Sequence, residues 1–145
     1  IRVVNLRFGM ILSPKGGALG TMLIPFKLGV GGVAGSGEQY WSWISLDDVI
    51  GDIHKVLMND SLSVAVNAVA PDAVTNKEFT KTLGRVLGRP TVLPVPKFAA
   101  NLAMGEMADE LLLASARVNP QRLMDSGFDF RQPRLEEALR HQLGR

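Results

Sequence analysis

Cysteine is absent from the 145 residues. That lack excludes disulfides, thiolate catalysis and cysteine-based zinc sites, and it agrees with a reducing, cytoplasmic setting. No run of about 18 apolar residues occurs, so no membrane-spanning helix and no membrane partner are expected. Charge of one sign is also scarce: 16 basic residues stand against 14 acidic ones, a net +2. So small and dispersed an excess argues against nucleic acid as a partner. Even the Arg-rich stretch 117–145 interleaves Asp125, Asp129, Glu136 and Glu137, the pattern of a solvated helical face. The two histidines, His54 and His141, lie far apart and neither stands at metal-ligand spacing, so both read as structural or solvated and no metal site is expected. The opening, Ile1-Arg2-Val3-Val4, lacks the apolar core and cleavage site of a signal peptide. It reads as the inside of a strand, as though the chain began within a larger protein.

What is present is an ordinary globular share of apolar residues, 46%, enough for a packed core. Residues 1–6, largely apolar, read as a parallel strand buried on both faces. Residues 7–17 read as a loop broken by Pro14, Gly16 and Gly17. Helical spacing follows over 18–28, with Pro25 as a weak point. A glycine-rich turn covers 29–37, and a strand carrying Tyr40, Trp41 and Trp43 covers 39–44. Ser45, with Asp47 and Asp48 in the first turn, caps a helix reaching Met58, whose expected buried face is Val49, Ile53, Val56 and Leu57. A strand at 64–69 precedes the capping box Thr75-Asn76-Lys77-Glu78, which opens a helix ended by Gly88 and Pro90. Beyond a short extended piece at 91–94 the chain is expected to be mostly helical. A long helix spans 97–113, a short one starts at Pro120 and stops at Gly127, and a last one runs from Pro133 to Leu143. The alternation of strands and helices points to an α/β fold.

Several segments could carry chemistry. Gly29-Val30-Gly31-Gly32-Val33-Ala34 has the form of a dinucleotide turn. That chemistry needs a strand before it and a helix after it, whereas here a helix precedes and a strand follows, so a flexible turn is the better reading. Trp41 and Trp43 share one face of their strand, with Tyr40 and Ser42 on the other; they are either core or the wall of a substrate cleft. Asp47 and Asp48 read as helix-start acids rather than metal ligands. Glu106 reads as a solvated helix residue. No Ser, His and acid grouping can be argued.

The run Leu6-Arg7-Phe8-Gly9-Met10-Ile11-Leu12 resembles the strand of extended short-chain dehydrogenases/reductases that ends in a Leu-Arg pair, followed by the loop lining the nicotinamide end of the cofactor. Ile44-Ser45-Leu46-Asp47-Asp48-Val49 is similar to that family's Ile-His-Val-Asp-Asp-Val. Val66-Asn67-Ala68, with Thr75 and Glu78, resembles its Asn-bearing strand and next helix start. The motifs Gly16-Gly17-Ala18-Leu19, Pro25-Phe26-Lys27-Leu28-Gly29, Gly35-Ser36-Gly37-Glu38-Gln39 and Met104-Gly105-Glu106-Met107-Ala108 look like an atypical branch of the NAD-dependent epimerase/dehydratase family. That branch is nucleotide-sugar-epimerase-like, and its C-terminal tail domain resembles Pro120-Gln121-Arg122-Leu123 through Gly127-Phe128-Asp129-Phe130.

The resemblance implies the C-terminal portion of an extended Rossmann-type fold. The end of its sheet and the substrate-binding segments would occupy residues 1–90, and a mostly helical tail 91–145. It implies NAD or NADP as cofactor, held mainly by an N-terminal half that would be this chain's partner. Arg7, Gly9, Met10 and Ile11 would lie beside the cofactor, and Met10, Leu12, Gln39, Trp41 and Trp43 would line an apolar substrate pocket. No catalytic residue is expected within the chain: the family's Tyr-x-x-x-Lys pair is missing, since Tyr40 is followed by Ile44 where Lys is needed. Trp41 also replaces the Arg that clamps the substrate pyrophosphate in nucleotide-sugar epimerases. The chain alone is therefore expected to be inactive, as part of a reductase or epimerase acting on a small molecule. The alternatives are a dinucleotide-sensing binding module on the same fold, or a fragment with no independent role. A strand cut from its sheet would also leave an edge through which copies could pair.

Overall fold

The computed structural model describes residues 1–106 and 108–145, apart from the side chains of Ala103, Met104 and Leu111. The fold is α/β: three two-stranded sheets with helices following their strands. Strand β1 (Val4–Phe8) pairs in parallel with β5 (Val64–Ala68) in the register Leu6 to Val66. Between them in sequence, β2 (Met10–Leu12) pairs in parallel with β4 (Trp43–Ser45), and β3 (Tyr40–Trp41) pairs antiparallel with β6 (Val74–Thr75). Helix α1 (Gly17–Lys27) connects β2 to β3, α2 (Leu46–Met58) follows β4, and α3 (Asn76–Leu87) follows β6. The remainder comprises α4 (Lys97–Met104), a π-helical turn (Asp109–Leu113), α5 (Gln121–Asp125) and α6 (Leu135–Leu143). No helix among the described residues is long and apolar enough to cross a membrane.

Local chemistry accounts for the joints. The Ser45 hydroxyl accepts from the Asp48 N–H and the Thr75 hydroxyl from the Glu78 N–H, so both expected caps form and each satisfies an orphan amide of its helix. The main core unites Leu12, Leu19, Phe26, Trp41 and Trp43 with Phe79 and Leu83 of α3 and with Leu112, Leu135 and Leu139 of the last third. The helical tail thus packs into the same core as the strands.

Four expectations are corrected. The loop expected at 7–17 instead continues β1 to Phe8 and holds β2, and the strand expected at 39–44 is split into β3 and β4. One contact explains both breaks. Gly9 lies so close to Ser42 that an added Cβ would sit 2.4 Å from the Ser42 carbonyl oxygen, and the Met10 N–H donates to that oxygen at 2.8 Å. The chain crosses itself there and each strand changes partner. In α2, Ile53 and Leu57 are 42% and 68% exposed, while Asp48 and Asp52 join Val49 and Val56 on the buried face. Finally, the long helix expected over 97–113 ends at Met104, because Gly105 takes φ 63°. Met107 of the motif around it lies outside the described residues.

Candidate functional site

In open parallel sheets, ligands bind beyond the carboxyl ends of the strands. Such a cleft, about 450 Å³, opens past the ends of β1 and β5. β1 contributes Arg7 and Phe8, with Gly9 next to it; β5 contributes Asn67, with Val69 beyond it; Arg117, Val118 and Asn119 close the other side.

The segment carrying Arg117 is fastened by alternation along the aromatic strand. Tyr40 and Ser42 face it while Trp41 and Trp43 face the core. The Tyr40 N–H donates to the Ser115 hydroxyl at 3.0 Å, and the Ala116 N–H donates to the Tyr40 carbonyl at 2.9 Å. The Ser42 hydroxyl donates to the Ala116 carbonyl and accepts from the Val118 N–H, each at 2.9 Å. Asn67 Nδ2 donates to the Asn119 carbonyl at 3.1 Å, and the Arg117 guanidinium lies 5.0 Å from the centroid of the Tyr40 ring. Two guanidiniums, Arg7 and Arg117, therefore line one concavity whose lining contains no carboxylate. Its chemistry suits an anion. A smaller neighbouring cavity shares Arg7, Asn67 and Asn119 and adds Arg122, whose guanidinium is committed to the carbonyls of Ser63 and Ala65 at 3.0 and 2.7 Å.

The residues singled out in the sequence divide between this cleft and the core. Arg7 and Gly9 line the cleft. Met10 is half-buried against the main core, and Ile11 packs on the cluster of Ile44, Val49 and Ala68. Leu12 and Trp43 are fully buried, and Trp41 stacks edge-to-face on Phe79 with ring centroids 5.1 Å apart. The Trp43 indole N–H donates to the Asp72 carbonyl at 3.0 Å, whereas that of Trp41 has no partner among the described residues. Gln39 bridges two segments, its Nε2 donating to the carbonyls of Ala34 and Leu112 at 2.9 and 2.7 Å.

Arg117 and Asn119 were missed because a tail rich in both charges reads as solvated surface; nothing local distinguishes the one guanidinium turned toward the cleft. The buried carboxyl of Asp52 was missed as well. Burial, and after it the nearby charge of Asp48, raises its pKa from 3.8 to about 7. A carboxyl so displaced can mark a functional site, but Asp52 is 0% exposed and lines none of the cavities described here. It lies on the buried face of α2. Among the described residues no group of three or more His, Asp or Glu is placed to hold a metal ion.

A family described as a domain of unknown function (DUF1731) matches residues 95–142. Epimerase family protein MT2273 of Mycobacterium tuberculosis is 45% identical over 138 residues, which is 95% of this chain and 46% of that relative. The crystal structure of human epimerase family protein SDR39U1 (isoform 2) with NADPH matches with a TM-score of 0.91 at 36% identity, covering 99% of this chain and 48% of that one. The chain belongs to this epimerase family, as its C-terminal portion. A nucleoside-diphosphate sugar epimerase from Corynebacterium glutamicum shares the fold at a TM-score of 0.74 and 31% identity, over 99% of this chain and 26% of that one. The chain spans about half the length of the curated relatives it matches.

Proposed function

We propose that this chain is the substrate-side part of an NAD(P)-dependent reductase or epimerase, completed by a dinucleotide-binding half that carries the catalytic Tyr and Lys. The observation that carries the reading is the cleft past β1 and β5, where Arg7, Arg117 and the backbone of Gly9 converge without an opposing carboxylate. The residues fit the group. Two guanidiniums match the phosphates of a dinucleotide, since Arg recognises phosphate by paired, charge-assisted hydrogen bonds. Gly9 lines the same cleft between the two guanidinium-bearing segments. Arg7, Gly9, Met10 and Ile11 lie on the cofactor side. When bound, the dinucleotide supplies hydride chemistry; the residues of this chain orient its neighbour and keep water out.

The substrate wall is apolar. Met10, only half-buried, is its contact residue; Leu12, Gln39, Trp41 and Trp43 hold that wall from behind, three of them within the core. Trp41 gives the wall no cation, which favours a small carbonyl or hydroxyl compound over a nucleotide sugar.

The test uses the full-length protein. Titration with NADPH and NADH, followed by the fluorescence of the reduced nicotinamide, should show saturable binding that Arg7→Ala weakens. Absence of binding to either dinucleotide would sink the reading. Binding with no turnover across a panel of aldehydes and ketones would leave the cofactor assignment standing and replace the enzyme by a dinucleotide sensor.

A further inference from the structure

Ser42 stands between β3 and β4, is 7% exposed, and touches both sides of the cleft past β1 and β5. Toward the cofactor side, its carbonyl oxygen accepts the Met10 N–H at 2.8 Å and lies hard against Gly9. Toward the tail, its hydroxyl donates to the Ala116 carbonyl and accepts the Val118 N–H, each at 2.9 Å.

The spacing of those last two bonds is that of a parallel strand pair. In such a pair one residue donates to a carbonyl and accepts the N–H two residues further along. Ser42 meets Ala116 and Val118 in that spacing, but with its side chain. Its backbone carbonyl is already engaged by Met10, so the hydroxyl stands in for the main chain. Two residues earlier the pairing runs through backbone, with the Tyr40 carbonyl accepting the Ala116 N–H at 2.9 Å. A hydroxyl can donate and accept at once, which the substitution at residue 42 requires.

The two groups held by Ser42 flank Arg117. The Ala116 carbonyl belongs to the peptide before it, and the Val118 N–H to the peptide after it. Each peptide is planar, so holding both constrains the two backbone dihedrals of Arg117 and the direction in which its side chain leaves. Tyr40, on the same face of the strand as Ser42, then meets that side chain, with the guanidinium carbon 5.0 Å from the ring centroid. A cation over an aromatic face at this distance is attracted to it.

We propose that Ser42 is a positioning residue of the cleft: by holding the two peptides on either side of Arg117, its hydroxyl aims that guanidinium at the bound dinucleotide. Its carbonyl ties the same strand position to the cofactor-side segment at Gly9 and Met10. Ser42 in this role rests on the dinucleotide reading of the cleft, and it acts through Arg117 without touching cofactor or substrate.

A double-mutant cycle in the full-length protein tests this, with NADPH affinity followed by the fluorescence of the reduced nicotinamide. Arg117→Ala should weaken NADPH about tenfold, through loss of a charge-assisted contact. Ser42→Ala should weaken it about fivefold, because a small misplacement of a charged group forfeits most of its effect. Added to Arg117→Ala, Ser42→Ala should cost less than about a further twofold. Raising the salt should weaken NADPH less in Ser42→Ala than in the wild type, as in Arg117→Ala. A hydroxyl that only supports the fold would cost the same affinity in both backgrounds and leave the salt dependence unchanged, and either result overturns the proposal. In the protein without dinucleotide, hydrogen exchange at the Val118 amide should quicken at least about tenfold in Ser42→Ala; unchanged exchange would also overturn it. A wild-type protein that takes up no NADPH would end the dinucleotide reading, while quickened exchange at Val118 would still uphold the hold of Ser42 on Arg117.

Discussion

Asp48 and Asp52 lie one turn apart on the buried face of α2, and among the described residues only the carboxylate of Asp48 has hydrogen-bond partners. Its Oδ1 accepts the Arg131 N–H at 2.7 Å, and its Oδ2 accepts the Gln132 N–H at 3.2 Å and the Ser45 hydroxyl at 2.9 Å. Both carboxylate oxygens of Asp52 are buried without a hydrogen bond among the described residues. One acid therefore anchors the tail to the helix, while the other is held where its charge is unfavourable.

That asymmetry makes stability depend on pH. In the unfolded chain Asp52 ionises near its ordinary 3.8, whereas burial, and then the charge of Asp48, holds the folded carboxyl protonated up to about 7. The folded state thus binds more protons across that window. Stability is fully present below about 3.8 and is lost as pH rises through about 7, with a slope of up to about 1.4 kcal/mol per pH unit from this group. Asp52→Asn should flatten the dependence and stabilise the protein above neutrality. Urea midpoints at pH 5 and pH 8 measure it; an unchanged difference between the two in the variant would assign the effect to another group.

Asp48→Ala should be costly. It leaves the amides of Arg131 and Gln132 without their acceptor in a part-buried junction, at roughly 1–3 kcal/mol for each. Asp48→Asn keeps an acceptor and should cost less, while removing one of the two causes that raise the pKa of Asp52. The pH at which stability falls should then move down in Asp48→Asn, readable from the same unfolding series.

The face of α2 shows where sequence reading stops. Leu46, Ile50, Ile53 and Leu57 recur at helical spacing, and so do Val49 and Val56 with Asp52. Either stripe satisfies amphipathic periodicity, and the rule that carboxylates stay outside favoured the wrong partners for Val49 and Val56. The choice is made by contacts outside the helix, the amides of Arg131 and Gln132, more than 80 residues away. The caps at Ser45 and Thr75 were legible because capping is local: hydroxyl and amide lie three residues apart. The α/β order was legible for the same reason.

The candidate site was only partly legible. Arg7 and Gly9, which line the cleft, belong to a motif whose residues are neighbours in sequence. The segment carrying Arg117 is held at the cleft by Tyr40 and Ser42, over separations above 70 residues, and Asn119 by Asn67 over 52; no sequence period encodes such contacts. Trp41 and Trp43 were correctly placed on one face of the strand; that this face is the core follows from the packing of Phe79 and the tail.

The crossing at Gly9 gives a local test. Gly9→Ala would bring Cβ to 2.4 Å from the Ser42 carbonyl oxygen and 2.8 Å from its carbon, both backbone atoms that cannot swing away. β1 and the aromatic strand must separate, loosening the Met10 to Ser42 hydrogen bond. A loss of about 1–3 kcal/mol, the usual cost of overpacking, is expected, with faster hydrogen exchange at the Met10 amide. Wild-type stability in Gly9→Ala would show that the strands approach less closely than described.

Arg117 separates electrostatic from structural contributions to the cleft. Its side chain is exposed and touches the Tyr40 ring, while its neighbours Ala116 and Val118 carry the hydrogen bonds that fix the segment. Arg117→Glu should therefore change the melting temperature little, as most surface substitutions do. It places a carboxylate where a dinucleotide phosphate is proposed to lie. Replacing a charge-assisted attraction by repulsion should weaken NADPH binding to the full-length protein by roughly 10- to 100-fold. Raising the salt should narrow the gap between wild type and variant, because exposed charges are screened within about 10 Å at 0.1 M. Equal affinity for NADPH in wild type and Arg117→Glu at low salt would remove Arg117 from the dinucleotide site and leave Arg7 as the cation facing it.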